Sequence, residues 1–112
     1  MKCVLKRTGE TLAQTVEVAD TYWTRLAGLM FRRELAAGGG LLLDPCPQVH
    51  TCFMRFVMDA VFFDKEGRVL HVVEGMKPWR FSRFVRGARY TLELPGGTLR
   101  GRVRVGDELE IY

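Results

Sequence analysis

The chain has 112 residues, 47% hydrophobic and 27% charged, proportions of a globular fold that exclude a disordered or collagen-like polymer. A chain of this length is expected to form one domain over residues 1–112, burying roughly two thirds of its unfolded surface without metal or disulfide support. The formal charge of +4 is unevenly placed, because eight basic residues from Lys77 to Arg104 are opposed by one acid, Glu93.

The opening residues Met1 to Arg7 lack the apolar stretch of about 7 to 15 residues that an export signal needs. The longest apolar run, Phe56 to Phe63, is interrupted by Asp59 and falls far short of the roughly 20 residues that cross a bilayer. Cys3, Cys46 and Cys52 form an odd set without a C-x-x-C pair, which fits free thiols in a reducing cytoplasm.

In chain order, Lys2 to Lys6 and Thr11 to Val18 read as a hairpin around Thr8-Gly9-Glu10. After Asp20, a candidate cap, Tyr22, Trp23, Leu26, Leu29 and Met30 recur every three to four residues and predict one helix. Gly28 inside it predicts close packing or an early helix end. Ala36 to Gly40 is a turn. It lacks the following helix and the Lys-Ser/Thr pair of a phosphate-binding loop, and Leu41 to Leu43 continues as a short strand.

Val49–Met54, Met58–Phe63, Arg68–Val73 and Tyr90–Leu94 are the next expected strands, followed by a closing hairpin of Arg102–Val105 and Glu108–Tyr112 around Gly106-Asp107. Met58–Phe63 is apolar on both faces, the pattern of a central strand covered from both sides. Short strands with close turn signals and a single helix predict a mainly β fold, a small antiparallel barrel or sandwich with the helix packed against it.

Three blocks then stand out: Arg25-Leu26-Ala27-Gly28-Leu29-Met30-Phe31-Arg32, His50-Thr51-Cys52-Phe53-Met54-Arg55 running on to Asp59 and Asp64, and Leu92-Glu93-Leu94-Pro95-Gly96-Gly97-Thr98. Together with Gly67-Arg68-Val69, Lys77-Pro78-Trp79 and Val105-Gly106-Asp107, they make the chain resemble domain-of-unknown-function family 192 from about Thr21 onward. The resemblance implies a small β-rich prokaryotic protein and no particular activity. The chain departs from the family's usual pattern at Val57-Met58 and at Cys52, which argues against cysteine-based chemistry.

Cys46, His50, Cys52 and Met54 are soft or borderline metal ligands. On one strand face, however, His50 and Met54 would stand about 13 Å apart, too far to converge on one ion. No metal and no cofactor is expected. Cys52 with His50 as base meets the same objection, because side chains at i and i+2 run parallel.

Asp59, amid Phe56, Val57, Val61 and Phe63, is costly to bury without a partner. Arg25 and Arg55 are the candidate cations, and the plain structural alternative is an ion pair fixing helix to sheet. Glu93, between Leu92 and Leu94, is expected to face solvent unless it shares a pocket with Asp59, where the two could form an acid/base pair. His50, Thr51, Arg55, Asp59 and Trp79, with Arg25 and Glu93, are the candidate ligand-binding residues.

The leading functional expectation is therefore a binding module for a small anionic ligand or a protein partner. The alternatives are a single-stranded nucleic-acid binder using Arg100, Arg102 and Arg104 as a basic stripe beside Trp79, Phe81, Phe84 and Tyr90, and a hydrolase or transferase using the Asp59–Glu93 pair.

Overall fold

The computed structural model describes residues 1–30 and 32–112, and Phe31 of the first block lies outside the described residues. Its strands are β1 (Cys3–Leu5), β2 (Thr11–Ala13), β3 (Thr15–Ala19), β4 (Gly39–Leu43), β5 (Met58–Phe63), β6 (Val69–Met76), β7 (Tyr90–Pro95) and β8 (Leu109–Ile111), with a helix α1 (Tyr22–Ala27) between β3 and β4. A five-stranded sheet in the order β3-β4-β7-β5-β6 lies beside a three-stranded sheet in the order β2-β1-β8.

Every residue of β5 is buried, as its two-sided apolar pattern requires. Val61 and Phe63 face a core shared with Cys3, Leu5, Leu12 and Leu109 of the small sheet. Met58, Ala60 and Phe62 face a second core closed by Leu29 after α1, Cys46, Val49 and Met54 of the 44–54 loop, and Val85. The neighbouring β7 alternates in the same way, so Leu92 and Leu94 join the first core while Thr91 and Glu93 face the second side.

The mainly β fold is as expected, with two corrections. The sheets do not close into a barrel, and β3 pairs with β4 in parallel, Thr15 opposite Gly39 through Ala19 opposite Leu43. A parallel pair needs a crossover, and α1 lies on it.

The helix is shorter than its apolar spacing suggests. Thr21, not Asp20, caps it: the Thr21 hydroxyl accepts the Thr24 amide at 3.1 Å while the Thr24 hydroxyl accepts the Thr21 amide at 3.0 Å. Gly28 ends it at φ 47°, a conformation that favours glycine, and this is the early end that its position predicted. Tyr22, Trp23 and Leu26 are exposed, and the apolar anchor is Leu29 beyond the last turn.

Two expected strands are absent. Residues 49–54 form a loop with a lone bridge from His50 to Phe81. Val49 and Thr51 turn inward at strand spacing and their backbones bond to Ser82 and Arg80, but the pairing goes no further than this one bridge, and Met54 turns inward three positions on. Residues 102–105 also stay outside any strand, because Arg102 folds back on its own chain, its guanidinium donating to the carbonyls of Thr98 at 2.6 Å and Leu99 at 3.2 Å. No helix among the described residues is long and apolar enough to cross a membrane.

Candidate functional site: a buried carboxyl beneath the helix

Asp59 is fully buried, as expected, but its compensation is not a guanidinium. One carboxylate oxygen accepts the Gly75 amide at 2.9 Å and the other the Leu99 amide at 3.0 Å. Gly75 lies where the β5–β6 register slips between Met58 and Ala60, so Asp59 supplies the acceptor that the irregular ladder leaves unfilled. Arg25 and Arg55 play no part in it. Asp59 is a staple between β6 and the 98–99 turn.

Thr51 has a similar role. Its hydroxyl donates to the Lys77 carbonyl at 2.6 Å and accepts the Arg80 amide at 2.8 Å, while its backbone pairs with Trp79 and Arg80. This holds Trp79 at φ 63°, uncommon for a bulky side chain and costing on the order of 1–3 kcal/mol. Trp79 and Arg55 are exposed and do not line the cavity described next.

Glu93 reverses expectation. It is 3% exposed, because the sheet is covered on both faces and no position in the middle of β7 reaches water. Among the described residues, its Oε2 is a buried side-chain oxygen without a hydrogen-bond partner. Burial raises its carboxyl from the ordinary 4.5 to about 8, an effect the Arg32 guanidinium opposes. At neutral pH this carboxyl therefore holds its proton and is a hydrogen-bond donor.

Glu93 lines a cavity of about 40 Å³, room for a few water-sized groups. Arg25, Gly28, Leu29 and Met30 wall it from the helix end, and Cys46, Gln48, Val49, His50 and Met54 from the loop. A methyl group built on Gly28 would come within 3.8 Å of the Glu93 Oε1, so a glycine there leaves the space open. Arg25 is fixed in the wall by bonds to the carbonyls of Thr21 at 3.2 Å and Pro45 at 3.0 Å. The His50 Nδ1 accepts the Cys52 amide at 3.1 Å, which places the proton of the neutral ring on Nε2. The Cys46 thiol donates to the Gln48 carbonyl at 3.0 Å, and burial raises it, so it is a poor nucleophile. Among the described residues no group of three or more His, Cys, Asp or Glu side chains is placed to hold a metal ion.

A wider groove of about 490 Å³ runs past Val18, Phe63, Tyr90 and Ile111, with charges of both signs along it. Among the described residues, none of its side chains has a buried polar atom left unpaired, in contrast to the smaller cavity.

Of the seven predicted ligand-binding residues, Arg25, His50 and Glu93 meet at this cavity, while Thr51, Arg55, Asp59 and Trp79 lie elsewhere. Asp59 and Glu93 are on opposite faces of the sheet, Asp59 opposite Leu94 and Ala60 opposite Glu93, so they form no acid/base pair. Gly28, Met30 and Gln48 were not predicted. For the first two the signal was present, since all three motif blocks converge here: Arg25, Gly28, Leu29 and Met30 from the first, His50 and Met54 from the second, Glu93 from the third.

Residues 3–111 match the model of DUF192, described as Uncharacterized ACR, COG1430. The chain belongs to this family. A UPF0127 protein from Pyrococcus furiosus is 34% identical over 110 residues, covering 91% of this chain and 90% of that protein, and one from Thermococcus sibiricus is 28% identical over 94% and 71%. Among solved structures, a candidate transcription regulator from Sinorhizobium meliloti 1021 is similar with a TM-score of 0.79 and 29% identity, covering 97% of this chain and 89% of that one. A protein of unknown function from Novosphingobium aromaticivorans shares the fold at a TM-score of 0.77 and 24% identity, over 86% and 74%. The DUF192 match spans all three blocks around the cavity.

Proposed function

We propose that this DUF192 chain is a binding module that takes the head of a small anionic ligand into the cavity beneath α1. The observation that carries this reading is the Glu93 Oε2, a buried oxygen with no partner at the wall of a cavity built from all three motif blocks. A protonated carboxyl donates to a carboxylate or similar oxyanion, and the wall adds the Arg25 cation and the His50 Nε2–H. An ionised Glu93 would instead repel the same ligand.

The expected signature is binding that is strongest below pH 8 and weakens as Glu93 ionises. Nuclear magnetic resonance titration with acetate, pyruvate and succinate at pH 6 to 9 tests it, read on the amides of Gly28, Leu29 and His50. Glu93→Gln keeps a donor and should bind without that pH dependence; Glu93→Ala should lose binding. Unperturbed cavity amides for every probe, or unchanged binding by Glu93→Ala, would overturn the proposal.

The Arg100–Arg104 stripe and the paired-carboxylate enzyme lose their support. The basic stripe required Arg100, Arg102 and Arg104 on a strand, and Arg102 is engaged with Glu10 at 2.9 Å and with its own backbone. The hydrolase or transferase required two carboxylates in one cavity. Three unpaired cysteines support a reducing compartment such as the cytoplasm.

A further inference from the structure

The loop between β6 and β7 alternates rings and cations: Trp79, Arg80, Phe81, Arg83, Phe84, Arg86. Ser82 and Val85 anchor it inward, so Trp79, Phe81 and Phe84 project outward, 57%, 71% and 63% exposed. Trp79 packs edge-on against Phe53 from the 50–57 loop at 4.6 Å, and both residues hold φ 63°. Along the chain no acid stands between Glu74 and Glu93, and exposed Arg55 and Lys77 extend the positive field.

We propose that this face binds single-stranded nucleic acid, stacking bases on Trp79, Phe81 and Phe84 and pairing phosphates with Arg83 and Arg86, while Arg80 turns back on the carbonyls of Pro78 at 3.5 Å and Trp79 at 3.4 Å. Charge complementarity selects an anionic partner and disfavours a second copy of this chain, whose equivalent face carries the same sign. The geometry selects a partner with rings. A fluid lipid surface accepts apolar side chains in any orientation, whereas base stacking needs rings held in place: the Thr51 clamp and left-handed backbone hold Trp79, and Phe81 is held by its bridge to His50, the two rings 6.1 Å apart. Guanidinium groups outnumber ammonium groups on this face, as forked recognition of phosphate favours. This inference is independent of the Glu93 cavity.

The test is fluorescence anisotropy with a labelled oligothymidylate of about 16 nucleotides, the upper end of the site size of one small β domain. Vesicles of phosphatidylserine and phosphatidylcholine are sedimented with the protein in parallel. The expected result is oligonucleotide binding that weakens with salt, an affinity loss of about tenfold in Phe81→Ala and in Phe84→Ala, and a salt slope reduced by about one in Arg83→Ala. Circular dichroism and unfolding midpoints confirm that these exposed variants fold, and Arg100→Ala should bind as the wild type does. No binding at low ionic strength, binding indifferent to both phenylalanines, or binding to vesicles but not to the oligonucleotide would overturn the proposal.

Discussion

Ala60 of β5 and Glu93 of β7 are direct partners across the central ladder, and the carboxyl of the second lines the cavity beneath α1. One residue earlier, Asp59 opposes Leu94 and points to the other core. Two buried acids one ladder step apart thus live in separate environments, and they respond differently to substitution.

Glu93 sets a pH dependence of stability. Its native carboxyl titrates near pH 8, whereas the ordinary value is 4.5, so between these limits the native state holds a proton that the unfolded chain has lost. Stability is therefore greatest below about pH 4.5 as far as this group is concerned, and falls as pH rises through about 8, by an amount of order a few kcal/mol. Glu93→Gln should remove most of that slope and be the more stable protein at pH 8.5. Urea unfolding at several pH values measures it, and parallel curves for the two proteins would contradict the assignment.

Asp59 should behave as a structural group. Asp59→Ala strands the amides of Gly75 and Leu99 in the core, a cost of roughly 2–4 kcal/mol for two unpaired buried donors. Asp59→Asn keeps one acceptor and should lose less. Neither change should alter the affinity of folded protein for a ligand at the Glu93 cavity, which isothermal calorimetry on the asparagine variant can check.

Gly67 and Gly9 form a matched pair. Both have positive φ, 89° and 77°, so alanine at either costs about 1 kcal/mol in backbone strain. At Gly67 a Cβ would also meet the Leu109 carbonyl oxygen at 2.5 Å, while at Gly9 nothing lies within 4 Å. Gly67→Ala should thus lower the unfolding midpoint well beyond Gly9→Ala, since it pushes β8 from the start of β6. Equal midpoints would show that the β8 contact yields freely.

Thr51→Val removes the hydroxyl that joins Lys77 to Arg80 while keeping the volume. The expected loss is about 1–3 kcal/mol, with faster hydrogen exchange at the Trp79 and Arg80 amides, and Thr51→Ser should restore both. Unchanged exchange would show that the turn stands without the clamp.

The strands that lie inside the large sheet were readable because burial on both faces leaves an apolar run with no ambiguity of period, as in Met58–Phe63. Asp59 was legible as buried, but its partners were not: the amides of Gly75 and Leu99 lie 16 and 40 positions away and carry no side-chain signal. Glu93 was misread because alternation between Leu92 and Leu94 assumes one wet face, and β7 has none. The 49–54 loop was misread for a related reason, inward Val49 and Thr51 at spacing two being indistinguishable from a strand although their pairing with residues 80–82 stops at one bridge. The three motif blocks carry much of the cavity wall, but of the seven candidate residues drawn from the sequence only Arg25, His50 and Glu93 line it.

The pairing of β1 with β8 sets the order in which the protein can assemble. Cys3 lies opposite Ile111 and Leu5 opposite Leu109, so β1, paired locally with β2 on one edge, gains its second ladder only when β8 arrives from about a hundred positions along the chain. Such long-range closure is slow compared with local pairing. Until β8 docks, the second edge of β1 and the Leu5–Leu109 side of the first core stay open, which makes the partly folded chain the state most exposed to aggregation.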